Sequence, residues 1–228
     1  LEEELDKSLK RMGVDYVDLF YVHRRDHNIE IEEVTESLSK LVKKGKTKSI
    51  GYSEIAPSSL KRASAIHHIA AVQSEYSLST RAPEMGLVQV CEELDTALVA
   101  FSPVGRTFLT DSPLSYDFAQ TLDFTKVNPR FKQPNYDKNI IISDNFRKYS
   151  RDLGIASATL SIAWLLAKSE SIIPIPGTRS VKHLHELAAA MEVDVTDKMI
   201  SEIESILPLG WAYGDRYSDA QWIGPERY

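Results

Sequence analysis

The chain has 228 residues, of which 43% are hydrophobic and 26% charged, ordinary proportions for a globular protein able to bury a sizeable core. A net charge of -6 leaves no basic excess of the kind that nucleic-acid or membrane-surface binding needs. The single cysteine, Cys91, rules out an internal disulfide and fits a reducing compartment, so a cytoplasmic protein with neither nucleic-acid nor membrane partners is expected.

The opening "LEEELDKSLKRMG" reads as a charged amphipathic helix, with Leu1, Leu5 and Leu9 four residues apart, and not as a signal peptide. In "DYVDLFYVHRRDHN" a run fit for a buried strand, Val17 to Val22, stops at His23 and a burst of charge. "IEEVTESLSKLVKKGK" has helical periodicity and Gly45 where a C-cap belongs. "KSIGYS" is the next strand and ends in Ser53 and Glu54; Pro57 then opens the helix "PSSLKRASAIH". "AAVQSEYS" carries Gln73, Glu75 and Tyr76 near its end, and the helix "PEMGLVQVCEELD" leads to "ALVAFSP", which ends in Phe101 and Ser102. Between Pro103 and Asn139 periodicity nearly vanishes. A loop that long in a compact domain is usually a lid or binding loop, so a lid-like segment over 103–139 is expected. Two helices follow, "NIIISDNFRKYSRDLG", closed by Gly154, and "ASATLSIAWLLAKSE", whose apolar part is too short to cross a bilayer. The last strand, "SIIPIPG", ends in Gly177 and Thr178.

Strand alternating with helix, with apolar runs fit for burial on both faces, means an α/β protein with parallel strands. An open nucleotide-binding sheet would carry a G-x-G-x-x-G or Walker turn after its first strand, and neither is present. A barrel fits better, because polar or aromatic groups sit at the carboxyl end of each of the strands. Eight strands close such a barrel; the residues 1–228 supply about five, all within one domain.

Other residues have plainer readings. His67–His68 and His183-x-His185 are at spacings that point to different sides of a helix, so surface histidines are expected instead of a metal site. Glu2 to Glu4 and the lysines between Lys43 and Lys48 are solvated faces, and Cys91 sits on an apolar helical stripe as a core residue.

"DYVDLFYVHR", "GYSE", "VQSEYSLSTR", "VAFSPVGRTFLT", "NPRF" and "IPIPGTRSVKHLHE", in this order, resemble the aldo-keto reductases over essentially the whole chain. The resemblance implies a (β/α)8 TIM barrel that transfers hydride between NADP(H) and a small carbonyl substrate, an aldehyde or ketone. It implies that His23 is the strand-end histidine that contacts the substrate oxygen. Ser53 and Gln73 match positions that hold the nicotinamide carboxamide, with Glu54 where many members have Asn. Phe101 matches the aromatic stacked on the nicotinamide, and Ser102, Val104 and Arg106 the loop around the pyrophosphate. Gly177, Thr178, Arg179 and Glu186 match the adenosine-phosphate site, with Lys182 as a supporting charge; Leu187 replaces an Asn there. The family's catalytic Asp, Tyr and Lys lie upstream of the stretch where this sequence starts, and "WAYGDRY" at 211–217 reads as C-terminal tail. The chain thus resembles the last two-thirds of an aldo-keto reductase. Two functions follow: an NADP-dependent carbonyl reductase, inactive as these residues alone, or a short paralogue that binds cofactor or regulates without chemistry. Substrate identity and the choice between monomer and homo-oligomer stay open.

Overall fold

The computed structural model describes residues 1–227. Its strands form a five-stranded parallel sheet in the order β1-β2-β3-β4-β5, with β1 Val17–Val22, β2 Thr47–Ser53, β3 Ala71–Glu75, β4 Ala97–Phe101 and β5 Ile172–Ile175. The helices α1 (Glu2–Met12), α2 (Ile31–Lys43), α3 (Pro57–Ser64), α4 (Leu87–Glu93), α5 (Tyr116–Ala119), α6 (Asn135–Asp152), α7 (Ser157–Leu166), α8 (Val181–Ala188) and α9 (Asp197–Ile206) follow in chain order. The residues group into two compact units, one of 1–74, 84–99 and 224 onward, the other of 75–83 and 100–223. Among the described residues no helix is long and apolar enough to cross a membrane.

In the first unit, Leu5 and Leu9 of α1 are buried while Leu1 is 49% exposed, so the expected leucine stripe is two residues deep. β1 and β2 pair in parallel from Val17↔Thr47 to Val22↔Tyr52, and β2 pairs β3 from Gly51↔Ala71 to Ser53↔Gln73. Gly51 is required at that crossing, because a Cβ there would lie 2.7 Å from the Ala71 carbonyl oxygen and from the Tyr21 ring. α2 is fastened to the sheet by the 2.8 Å bond between Thr35 Oγ1 and the Tyr52 hydroxyl, both fully buried. Pro57 occupies the first turn of α3, where its missing N–H costs nothing. Ile50, Leu60, Val72, Leu87, Cys91 and Leu98 fill the core, each large aliphatic side chain contributing about 1.5–3 kcal/mol. Burial pushes the Cys91 thiol up to about 12, in keeping with a packing role.

In the second unit the segment 103–139 is not a featureless loop. It contains helical turns at Gly105–Thr107, Thr125–Val127 and Pro129–Phe131, besides α5, and α6 begins at Asn135 within it. Phe108 and Phe131 are buried and stacked at 4.7 Å between centroids, so the segment has a small core of its own. α7 is buried along its whole face from Ser157 to Leu165, which is why its sequence shows little amphipathy. Pro174 lies inside β5, acceptable in an edge strand because proline cannot donate to a ladder. The stretch 211–217 is tail, and it is tightly held. Trp211 Nε1 donates to the Leu78 carbonyl at 2.7 Å, and Asn128 Nδ2 to that of Arg216 at 2.6 Å. At Gly214 (φ 87) a Cβ would meet the Pro129 carbonyl at 2.8 Å.

Candidate active site

Parallel pairing brings the carboxyl ends of β1, β2 and β3 into register, and the sequence-predicted residues of the first unit stand there. Ser53, the last residue of β2, faces Gln73 directly across the ladder. His23 follows immediately after β1 and is exposed to solvent. Arg24 ties the two strand ends together: its Nη1 donates to Ser53 Oγ at 2.9 Å and also to the His23 carbonyl. Glu54 is buried with φ 58, a left-handed conformation that asparagine or glycine adopts more readily than glutamate. Its N–H donates to the Gln73 carbonyl at 2.9 Å, and its carboxylate accepts from Ser74 Oγ at 3.2 Å. Strain held by surrounding bonds is a mark of functional positions.

A carboxylate that sequence reasoning missed also sits here. Glu226, from the tail, accepts from Arg25 Nε at 3.1 Å and Nη2 at 2.7 Å. Its other oxygen accepts from the Ala56 N–H at 2.8 Å. Burial pushes the Glu226 carboxyl up, but the bonds from Ser59, the Ala56 N–H and Arg25 outweigh it, so it lies below the ordinary range.

In the second unit, Phe101 ends β4, and its carbonyl accepts from the Tyr76 N–H at 3.3 Å. Tyr76 itself is fully buried edge-on to Trp164 at 5.8 Å, a core aromatic. Beyond Phe101 the chain turns through a run of positive φ at Ser102 (52), Gly105 (58), Arg106 (53) and Thr107 (83). The Arg106 guanidinium points into a buried ionic cluster: Nη2 donates to Glu75 at 2.7 Å, and the group stacks 4.0 Å from the Phe124 ring centroid. Thr80 Oγ1 donates to the same carboxylate at 3.2 Å, Arg130 Nη1 donates to Thr80 at 2.8 Å, and Arg216 approaches Glu75 to 3.7 Å. The loop 102–107 is therefore anchored through Arg106, a role its sequence position did not signal.

A cavity of about 250 Å³ in this unit is lined by Val104, Gly177, Thr178, Lys182, Glu186 and Leu187, all singled out from sequence, together with Thr107, Asp111 and His183. Arg179 borders an adjoining recess with Thr178, Ser180 and His183. Ser180 caps α8, accepting from the His183 N–H at 3.4 Å, and Thr178 Oγ1 accepts from the Ser180 N–H at 3.2 Å. Asp111 is held by the Ser157 N–H at 3.1 Å and its hydroxyl at 2.6 Å. Lys182 pairs with Glu186 at 3.7 Å on the open side. Hydroxyls, a guanidinium and the first turn of α8 form a donor set suited to an anionic phosphate. A Cβ built on Gly177 meets nothing within 4 Å, so a ligand can approach the backbone there. These residues fit the phosphate-bearing end of a dinucleotide. His183, expected at the surface, is exposed and also borders the cavity.

The profile of the aldo/keto reductase family matches residues 1–208. An aldo-keto reductase yakc [NADP(+)] of Schizosaccharomyces pombe is 38% identical over 95% of the chain and 65% of its own length. A probable aldo-keto reductase 1 of Glycine max is 40% identical over 93% of the chain and 61% of its own. The chain thus spans less than two-thirds of the length of these relatives. Among solved structures, the glycerol dehydrogenase of Gluconobacter oxydans shares the fold with a TM-score of 0.78 at 24% identity, over 90% of this chain and 63% of that one. An aldo/keto reductase of Klebsiella pneumoniae, solved with NADP and acetate, aligns with a TM-score of 0.70 at 21% identity, over 95% and 68%. The chain belongs to the aldo/keto reductase family.

Proposed function

We propose that this chain is part of an NADP(H)-dependent oxidoreductase that reduces aldehydes or ketones to alcohols. The observation that carries the reading is the strand-end arrangement of the first unit: Ser53 and Gln73 opposite each other, with His23 linked to Ser53 through Arg24. A hydroxyl and a carboxamide side by side are complementary to the nicotinamide carboxamide, which both donates and accepts. In this reading Glu54 fixes the turn that follows Ser53; within the second unit Phe101 supplies an aromatic ring of the kind that stacks on a nicotinamide. The backbone of Ser102 and Val104 bears on the pyrophosphate, with Arg106 holding that loop in shape from behind. Gly177, Thr178, Arg179 and Glu186 receive the adenosine phosphate end, and Lys182 adds a point charge. When bound, NADPH supplies the hydride. His23 donates a hydrogen bond to the carbonyl oxygen, favouring the charge that develops there.

The alkoxide left by hydride addition needs a proton from a tuned acid, a contribution of about 10²–10⁴-fold. The Tyr–Lys pair implied by the family resemblance would be that acid; on this reading the 228 residues by themselves bind cofactor and turn over carbonyls poorly. Titration of the purified chain with NADPH, followed by fluorescence, tests the assignment. Saturable binding supports it; no binding at millimolar NADPH overturns it. Steady NADPH oxidation with a reactive aldehyde by the 228 residues would overturn the need for that acid.

A further inference from the structure

We infer that Glu226 is a positioning residue: the C-terminal tail uses its carboxylate to set the strand-end geometry of His23 and Ser53. This rests on the reading above for its meaning in cofactor binding, though its geometry stands independently. One carboxylate serves two loops. Oε1 takes Arg25 in the loop after β1, and Oε2 takes the Ala56 N–H in the loop after β2. The Glu226 N–H in turn donates to the carbonyl of Glu54 at 2.8 Å, holding the one residue of that loop with left-handed backbone. Arg25 and Glu226 are only 11% and 9% exposed, so the pair is little screened and its geometry is well defined. Arg25 Nη1 also reaches the Ile29 carbonyl at 2.6 Å, which pins the far side of the same loop.

The tail's fit is specific at a second point. Gly224 has φ 101, and a Cβ there would lie 2.9 to 3.1 Å from Cβ, Cγ and Cδ of Arg24. Only glycine lets the tail lie against the stem of Arg24, the side chain that bonds Ser53 Oγ and the His23 carbonyl. Two tail residues thus bear on the two arginines that follow His23. The segment lies beyond the residues matched by the family profile, 1–208. A buried ion pair spanning the chain is an expensive way to gain stability alone, since apolar side chains would serve as well. What a carboxylate offers in addition is two acceptors at fixed angles, each satisfying a different strand-end loop.

The experiment compares Glu226→Ala, Glu226→Gln and Gly224→Ala with Glu204→Ala, which breaks a separate ion pair with Arg81 and Lys168. Three quantities are read on the 228-residue chain: the His23 ring resonances by NMR, assigned with His23→Gln; NADPH affinity; and affinity for adenosine 2′,5′-bisphosphate, which lacks the nicotinamide half. Glu226→Ala and Gly224→Ala should shift or broaden the His23 signals and weaken NADPH about tenfold, as expected for losing one or two bonds. Adenosine bisphosphate affinity should stay within about twofold, by the same arithmetic. Glu226→Gln, which keeps an acceptor for the Ala56 N–H, should fall between. Glu204→Ala should lower the melting temperature and leave the His23 signals in place. Unmoved His23 signals in Glu226→Ala and Gly224→Ala overturn the proposal, as does equal weakening of both ligands. Should Glu226→Ala fail to fold, Glu226→Gln and Gly224→Ala decide by the same criteria. If the unaltered chain binds no NADPH, the cofactor reading fails, and the His23 signals still decide the positioning role.

Discussion

At the scale of single residues, charge and position separate the two ends of the proposed cofactor. Arg179 stands at the turn into α8 beside Thr178 and Ser180, where exposed helix N–H groups favour an anion. A guanidinium there can grip a 2′-phosphate in a forked geometry, and bonds to charged groups contribute about 1.5–3 kcal/mol each. Arg179→Ala should therefore weaken NADPH by about 10–150-fold, leave NADH nearly unchanged, and lose less in high salt. Equal loss for both cofactors would mean that Arg179 only shapes the turn. Glu75 poses the opposite case. It is a fully buried carboxylate facing Arg106, Arg130 and Arg216, and removing it strands their charge. Glu75→Ala should cost about 3–5 kcal/mol in urea unfolding, whereas loss of an exposed pair such as Lys48–Asp18 should leave the urea midpoint nearly unchanged. The positions of His23 and Ser53 at strand ends, and of Gln73 just before one, are legible in the sequence because apolar runs stop there; the roles proposed for them come from the family resemblance. Glu75 is legible as a carboxylate near the end of β3 but its three arginine partners are not, and Glu226 is not legible at all. Glu226 meets a partner 201 residues away, and nothing in the local pattern near either end encodes the meeting.

The elements show the same division between local and non-local information. β1 through β5 and the helices α1 to α4, α6 and α7 follow from periodicity and from punctuation such as Pro57 and Gly154, whose φ of 70 fits a C-cap. The segment 103–139 did not, because its helical turns are three or four residues long, shorter than the window in which a 3.6-residue period can register. Its order comes from Phe108, Phe131 and Tyr136 packing together, and from Tyr136 donating to the Leu114 carbonyl at 2.6 Å. Gly51 illustrates a constraint that belongs to the ladder and not to the residue. Its backbone is not left-handed, yet a Cβ has no room between Ala71 and Tyr21. Because one of the two obstacles is a backbone oxygen, β2 and β3 must part for any side chain. Gly51→Ala should destabilise by about 1–3 kcal/mol and should also weaken NADPH, since Ser53 and Gln73 lie two positions along the same ladder. A stable Gly51→Ala chain with unchanged cofactor affinity would show that the ladder tolerates the shift.

For the whole molecule the consequence of a five-strand sheet lies at its terminal strands, β1 and β5. An uncovered strand edge offers unpaired N–H and C=O groups to another chain, and proteins blunt it with charge, proline or cover. The two edges differ in this respect. β5 carries Pro174, which cannot donate, although Ile173 and Ile175 are 51% and 43% exposed. β1 has the sequence "VDLFYV", with Asp18 its one charge and Leu19, Phe20 and Tyr21 only half-buried. Longer than β5, with one charge and no proline, β1 is the stickier edge. The 228-residue chain by itself is therefore expected to associate reversibly at tens of micromolar, with β1 at the contact, as sedimentation over a concentration series would show. Leu19→Lys should reduce that association by setting like charges against each other across the contact, while Ile173→Lys, on the strand already blunted by Pro174, should change it little. Thermal melts of both variants guard against a loss of folding being mistaken for a loss of contact. A cooperative, monodisperse 25.7 kDa monomer at every concentration would mean that β1 is covered in solution by something within the chain itself, and the edge argument would fail.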